Sequence, residues 1–328
     1  MTSAVAATLS SPPKRLTLAE DAFAERLRHF GREIHFHAPA LKRYETDEFR
    51  PSGRERFAAV SLTGAKCALN CDHCKASVLE GMRAIPSGKD LFQLAQDMAA
   101  RGNRGLLLSG GMNVEGRVPH LEHLEEIVRV KRELGQKVIL HTGLVDEDAA
   151  RAMKDAGVDG AFIDIIGADE TIHEVYHLKR KSVDDFERSL AALVGAGLTV
   201  VPHIVLGLHY GKMLGEVRAL EIIARYDVSA LILVILMPIL STPMRNVTPP
   251  PVEEVGEFFG RARLTMPATP VYLGCARPGG RVKRRTDALA VDMGLNGIAF
   301  PAEGIIAYAR ERGLEPALHE SCCSIHDV

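Results

Sequence analysis

The chain has 328 residues, 46% of them hydrophobic and 25% charged, with 40 basic side chains against 42 acidic ones. This is the make-up of a folded globular protein, and it excludes a chain disordered over most of its length. A formal net charge of −2 excludes a broad cationic footprint for nucleic acid or anionic lipid, which leaves a small molecule or another protein as the expected partner. The longest apolar run, 230–240, is far short of the roughly 20 residues that span a bilayer, and Pro238 interrupts it. Residues 1–15 lack the apolar core of a secretory signal, so the expected location is cytoplasmic.

Residues 1–50 read as a tail followed by a helical and extended lead-in, where His35 and His37 alternate on one face of a strand. That spacing could mimic a metal pair, and surface placement is expected. From Pro51 onward short β-rich apolar runs alternate with longer amphipathic stretches. Strands are expected at 58–62, 105–109, 137–141, 160–165, 200–206, 231–237, 271–273 and 297–300. Helices are expected at 91–100, 121–133, 147–156, 183–194, 214–225, 252–263 and 303–312, and the interval between the last two strands carries the weakest signal. Gly157, Gly197 and Gly313 follow helices as left-handed caps. Eight βα units predict an α/β fold, a (β/α)8 TIM-type barrel over 51–313 with reacting groups at the C-terminal ends of its strands. Residues 314–328 are expected as a tail folding over the barrel mouth.

Six cysteines fall in two groups of three, which is not the pattern of a disulfide framework in a chain this long. Cys67, Cys71 and Cys74 form a CxxxCxxC loop just after the first barrel strand. A structural zinc site wants four closed ligands, and His73 stands too close to Cys74 to serve easily as the fourth. A [4Fe–4S] cluster held by three thiolates instead leaves one iron open. The carboxylate and amine of S-adenosylmethionine would fill that position.

On these residues the chain resembles the radical S-adenosylmethionine (SAM) superfamily, whose hallmark is this spacing after the first strand of a (β/α) barrel. The resemblance implies a radical SAM fold, a [4Fe–4S] cluster with an open iron site, and S-adenosylmethionine as cofactor. It places His73 beside the adenine, where a carbocyclic aromatic is common. It gives Ser109, Gly110 and Gly111 to the methionine amine, through backbone carbonyls because Met112 stands where the family often has Glu. It also implies cofactor contacts for His141 and for Asp164, the latter at the ribose. The simpler readings remain open: a tight Gly-Gly turn, a capping or salt-bridged Asp164, and satisfied core histidines at His203 and His209.

Cys275 follows the seventh strand, and Cys322 and Cys323 lie near the end of the chain. In a barrel these three could meet beside the substrate cavity and hold a second, auxiliary [4Fe–4S] cluster. Such a cluster can be consumed as a sulfur donor, as in lipoyl synthases, and the ending Cys323-Ser324-Ile325 resembles the seryl ligand of their auxiliary cluster, which implies Ser324 as a fourth ligand. The elements 141–146, 176–178, 207–212 and 275–278 are similar to the biotin-synthase-homologue group, members of which act as one half of a two-protein lipoyl synthase. That resemblance implies sulfur insertion into an octanoyl-lysine on a lipoyl carrier protein, a companion radical SAM component, and an electron donor such as ferredoxin. It implies no nucleic-acid or membrane partner. A biotin-synthase-like reaction on a free small molecule, and a non-catalytic zinc or iron–sulfur scaffold, are the alternatives.

Overall fold

The computed structural model describes residues 14–39, 43–52 and 55–323. Eleven strands form one parallel sheet: β1 (Glu33–His37), β2 (Phe57–Ser61), β3 (Arg83–Ala84), β4 (Gly105–Ser109), β5 (Lys137–Thr142), β6 (Gly160–Asp164), β7 (Val200–Leu206), β8 (Leu231–Ile235), β9 (Val271–Leu273), β10 (Gly297–Ala299) and β11 (Glu315–His319). The order across the sheet is β11-β1-β10-β9-β8-β7-β6-β5-β4-β2-β3. All eight expected barrel strands are present, and they neighbour one another in chain order from β2 and β4 through β10. Helices cover the outer face of the strands and inward side chains fill the inner one, which is why Leu231–Ile235 reads as an unbroken apolar run.

The sheet curls as a TIM-type half-barrel. Its two edges, β3 and β11, are not paired to each other among the described residues. The reason lies at the ends of the order. A two-residue strand caps β2, while β1 and β11 add to β10, so β2 and β10 do not become neighbours.

The helices are α1 (Lys14–Phe30), α2 (Leu91–Ala99), α3 (Leu124–Arg129), α4 (Glu147–Asp155), α5 (Asp169–Glu174), α6 (Val183–Gly195), α7 (Glu216–Ile223), α8 (Val252–Thr265), α9 (Gly280–Asp292) and α10 (Ile305–Glu311). Their starts are chemically marked. Asp90 and Gln93 form a reciprocal capping box at α2, and Asp146 accepts from the Ala149 N–H at α4. Gly157, Gly197 and Gly313 have φ of 79°, 71° and 77°, so the expected left-handed caps are in place. No helix among the described residues is long and apolar enough to cross a membrane.

One buried ion pair ties the exits of β9 and β10 to α9. Arg277 donates to Asp287 (2.7 and 3.1 Å), to the Gly274 carbonyl (2.7 Å) and to the Phe300 carbonyl (3.0 Å), and Asp287 also accepts from the Ala302 N–H (2.7 Å). The pair has almost no solvent contact, so removing one partner strands a desolvated charge. Asp287→Ala is therefore expected to lower unfolding free energy by about 3–5 kcal/mol in denaturant titration, the magnitude typical of breaking such a pair.

Candidate functional site

Register places the first cysteine loop. Ser61 of β2 is paired with Ser109 of β4, and the Leu62 N–H carries the ladder one step further by donating to the Ser109 carbonyl (2.8 Å). The two following segments therefore leave the sheet side by side, Thr63 to Cys74 against Gly110 to Met112. Thr63 bridges them: its hydroxyl accepts from the Gly111 N–H (2.7 Å) and donates to the Lys66 carbonyl (2.8 Å). The Ala68 N–H donates to the Met112 carbonyl (2.9 Å), which also lies 3.8 Å from Cys67 Sγ. A Cβ on Gly111 would sit 1.9 Å from the Lys66 carbonyl oxygen and 2.6 Å from Cys67 Cα. Only glycine permits that approach.

Cys71 and Cys74 are buried and Cys67 is half-buried. Hydrogen bonding from Cys71, and next the nearby His73, pull the Cys74 thiol down to about 4 against the opposing effect of burial. Cys71 is pushed up by the same hydrogen bond and by burial. The thiolate is the form that ligates iron. Bound metal would release the remaining protons. The His73 ring lies 5.2 Å from that of Tyr176, and its Nδ1 is buried without a hydrogen-bond partner. Two hydrogen-bonded thiols with Cys67 in the same loop, a Cβ-free cradle and an orphaned buried nitrogen beside them fit a cluster with an organic ligand. An open cavity of about 790 Å3 lies against Cys67, Met112 and Arg117.

Backbone strain concentrates here. Asn70, Lys75, Ala76, His177 and Tyr210 all have φ between 46° and 62° without being glycine. Each such residue costs on the order of 1 kcal/mol and persists only where its surroundings over-determine it. Tyr176, His177 and Tyr210 line this region from the loops after α5 and β7; the sequence marks 176–178 and 207–212 by resemblance without giving their contacts.

Asp164 at the end of β6 and His203 on β7 are paired in register, as are His141 on β5 and Phe162 on β6. The alternation of strand side chains puts all four on one face. Asp164 Oδ1 is 3.8 Å from His141 Nε2, and the Tyr176 hydroxyl lies 3.4 Å from Asp164 Oδ2. His141, Asp164 and His203 offer ligand atoms within 4.8 Å of one another. His203 Nδ1 sits 3.1 Å from the Val201 carbonyl, which fixes the Nδ1–H tautomer and leaves Nε2 a lone pair. The Tyr176 carbonyl is also 3.9 Å from Cys71 Sγ, so this residue links the trio to the cysteine loop.

The second cysteine group is brought together from two places. Cys275 follows β9, and Cys322 and Cys323 follow β11. Burial, and then the proximity of Cys275, raise the Cys323 thiol to about 12, and burial with both neighbours raises Cys322 well above the ordinary range. Ser324 lies outside the described residues. Surface placement of His35 and His37 is corrected. β1 lies between β10 and β11, so His37 is fully buried and stacks on His319 at 4.9 Å, while His35 Nδ1 is 3.0 Å from His319 Nε2.

Two expectations follow from this geometry. Gly111→Ala must displace the Lys66–Cys67 backbone, and iron bound per chain after reconstitution should fall by more than half while circular dichroism stays near wild type. Burial also lowers His120 and His203 to about 4. Their unfolded forms take up protons near pH 6.5, so stability present above that pH is lost as pH falls toward 4. Denaturant unfolding at pH 7 and pH 4.5 should differ by at least a few kcal/mol, and His203→Phe should reduce the difference.

Residues 61–214 match the family described as the Radical SAM superfamily. A mitochondrial biotin synthase of Emericella nidulans is 24% identical over 236 residues, covering 69% of this chain and 59% of the relative, so the chain spans about three fifths of that protein. Biotin synthase 2 of Polaromonas is 24% identical over 248 residues, covering 74% and 70%. Among solved structures, a maturase of the [FeFe]-hydrogenase superposes with a TM-score of 0.65 at 14% identity over 94% of this chain and 70% of its own. Methylornithine synthase does so with a TM-score of 0.60 at 14% identity over 94% and 91%. Residues 61–214 thus carry a radical SAM domain, and the similarity to biotin synthases supports a radical SAM enzyme of the biotin-synthase-like group.

Proposed function

We propose that the chain is a radical SAM sulfur-insertion enzyme whose substrate is an octanoyl chain on a lipoyl carrier protein. The observation that carries the reading is the second thiol group. Cys275 follows β9 and Cys322 and Cys323 follow β11, near enough for their charges to act on one another, and these strand ends lie on the rim that bears Cys67, Cys71 and Cys74. When bound, a reduced [4Fe–4S] cluster supplies the electron that cleaves S-adenosylmethionine reductively, and an auxiliary cluster supplies sulfur.

The chain's own residues bind and orient. Cys67, Cys71 and Cys74 would hold the first cluster, and Cys275, Cys322, Cys323 and Ser324 the second. Ser109, Gly110 and Gly111 would meet the methionine amine, His73 the adenine, and His141 and Asp164 the ribose side, where Asp164 is already oriented by Tyr176. The curled sheet excludes water around the reacting carbon. A companion radical SAM component and a ferredoxin-type electron donor complete the reaction in this reading, with 51–313 as the barrel unit, 314–328 as the ligand-bearing tail, and the cytoplasm as the compartment.

The biotin synthase relatives favour a second reading, in which the same machinery inserts sulfur into a free small molecule. Iron and acid-labile sulfide per chain after anaerobic reconstitution test the first step. About eight irons in wild type should fall to about four when Cys275, Cys322 and Cys323 are all changed to Ala. An unchanged count near four removes the sulfur source and with it the proposal. Product mass spectrometry on an octanoyl-lysyl carrier domain, with and without the companion component, then separates the substrates: a gain of sulfur on free dethiobiotin alone selects the second reading.

A further inference from the structure

Asp72 sits between two cluster ligands, Cys71 and Cys74, and its carboxylate is the meeting point of three loops. Oδ1 accepts from Lys75 Nζ (3.0 Å) and His177 Nε2 (3.1 Å), and Oδ2 accepts from the Tyr210 hydroxyl (2.9 Å). Its own N–H donates to the Val175 carbonyl (2.9 Å). Lys75 lies in the cysteine loop, His177 in the loop after α5, and Tyr210 in the loop after β7. All three donors have left-handed backbones, with φ of 46°, 61° and 49°, a conformation that side-chain-bearing residues keep only where something holds them. Asp72 is the one acceptor they share.

The Asp72 carboxylate is ion-paired with the Lys75 ammonium, and 17% of its side chain is exposed. A neutral amide replaces it only in part: the Tyr210 hydroxyl would have to turn and accept from the amide nitrogen, and the charge pairing with Lys75 would be lost.

We propose that Asp72 is a positioning residue that fastens the loop of Cys67, Cys71 and Cys74 to the loops after α5 and β7. The cluster seat and two rim loops then hold one geometry and loosen together. The inference deepens the proposed cluster reading, since it assigns a residue outside the ligand set to keeping that seat and its charge in place.

Hydrogen–deuterium exchange on the full chain after anaerobic reconstitution tests it, with Asp72→Asn, Asp72→Glu and Tyr210→Phe compared with wild type. Asp72→Asn should speed exchange severalfold at both 175–178 and 207–212, and Tyr210→Phe only at 207–212, while iron per chain is retained. Asp72→Glu should restore protection in part. The reduction potential of the cluster should move upward in Asp72→Asn, which loses an anion beside it, and stay in place in Tyr210→Phe. Faster exchange confined to 68–77, or an unmoved potential in Asp72→Asn, overturns the proposal. Failure of the wild type to cleave S-adenosylmethionine would count against the enzymatic reading alone, because the exchange pattern is read without turnover.

Discussion

The closest constraint in the molecule is the passage of the Lys66–Cys67 backbone over Gly111. Parallel pairing of β2 with β4 fixes where the two segments start, Thr63 fixes their spacing, and the missing Cβ lets them touch. Everything chemical follows from that contact. It holds the Cys67 backbone against the exit of β4, and Cys71 and Cys74, joined by a hydrogen bond, follow in the same loop. The glycine pair, which in the sequence reads as a contact for the methionine amine or a tight turn, has a prior task in holding the protein to itself.

A parallel sheet turns this local contact into a whole rim. Because every strand runs the same way, the C-terminal end of each delivers its following loop to one side. Asp164 and His203, neighbours in register, and His141 one strand away need no further device to converge. Burial then decides their chemistry: His203 is kept neutral, and Asp164 keeps a hydroxyl partner in Tyr176.

Much of this was legible from residue order. The eight barrel strands announce themselves because they are buried on both faces, and a doubly buried strand cannot hide its apolar run. The cysteine loop is legible from spacing alone. Other features were not, among them α9, β11 and the burial of His37. α9 carries Arg281, Lys283, Arg284 and Arg285, and its inner face includes Asp287, so its apolar period is too weak to read. β11 contains Pro316 and few β-formers, which only an edge position tolerates. His37 looked like a surface residue because nothing local reveals that β10 and β11 flank it. Asp72 was invisible for the opposite reason: a charge between cysteines looks solvated until the loops from 177 and 210 arrive.

The position of β1 sets an order in time. Its two hydrogen-bonded neighbours, β10 and β11, are the last strands of the chain. During synthesis from the N-terminus, β1 waits unpaired while β2 to β9 form around the first cysteine loop. Contacts this distant in sequence are the slow ones to make. The seat of Cys322 and Cys323 therefore rests on pairing between segments far apart in the sequence, β1 with β11, whereas the first cysteine loop rests on the nearer pairing of β2 with β4.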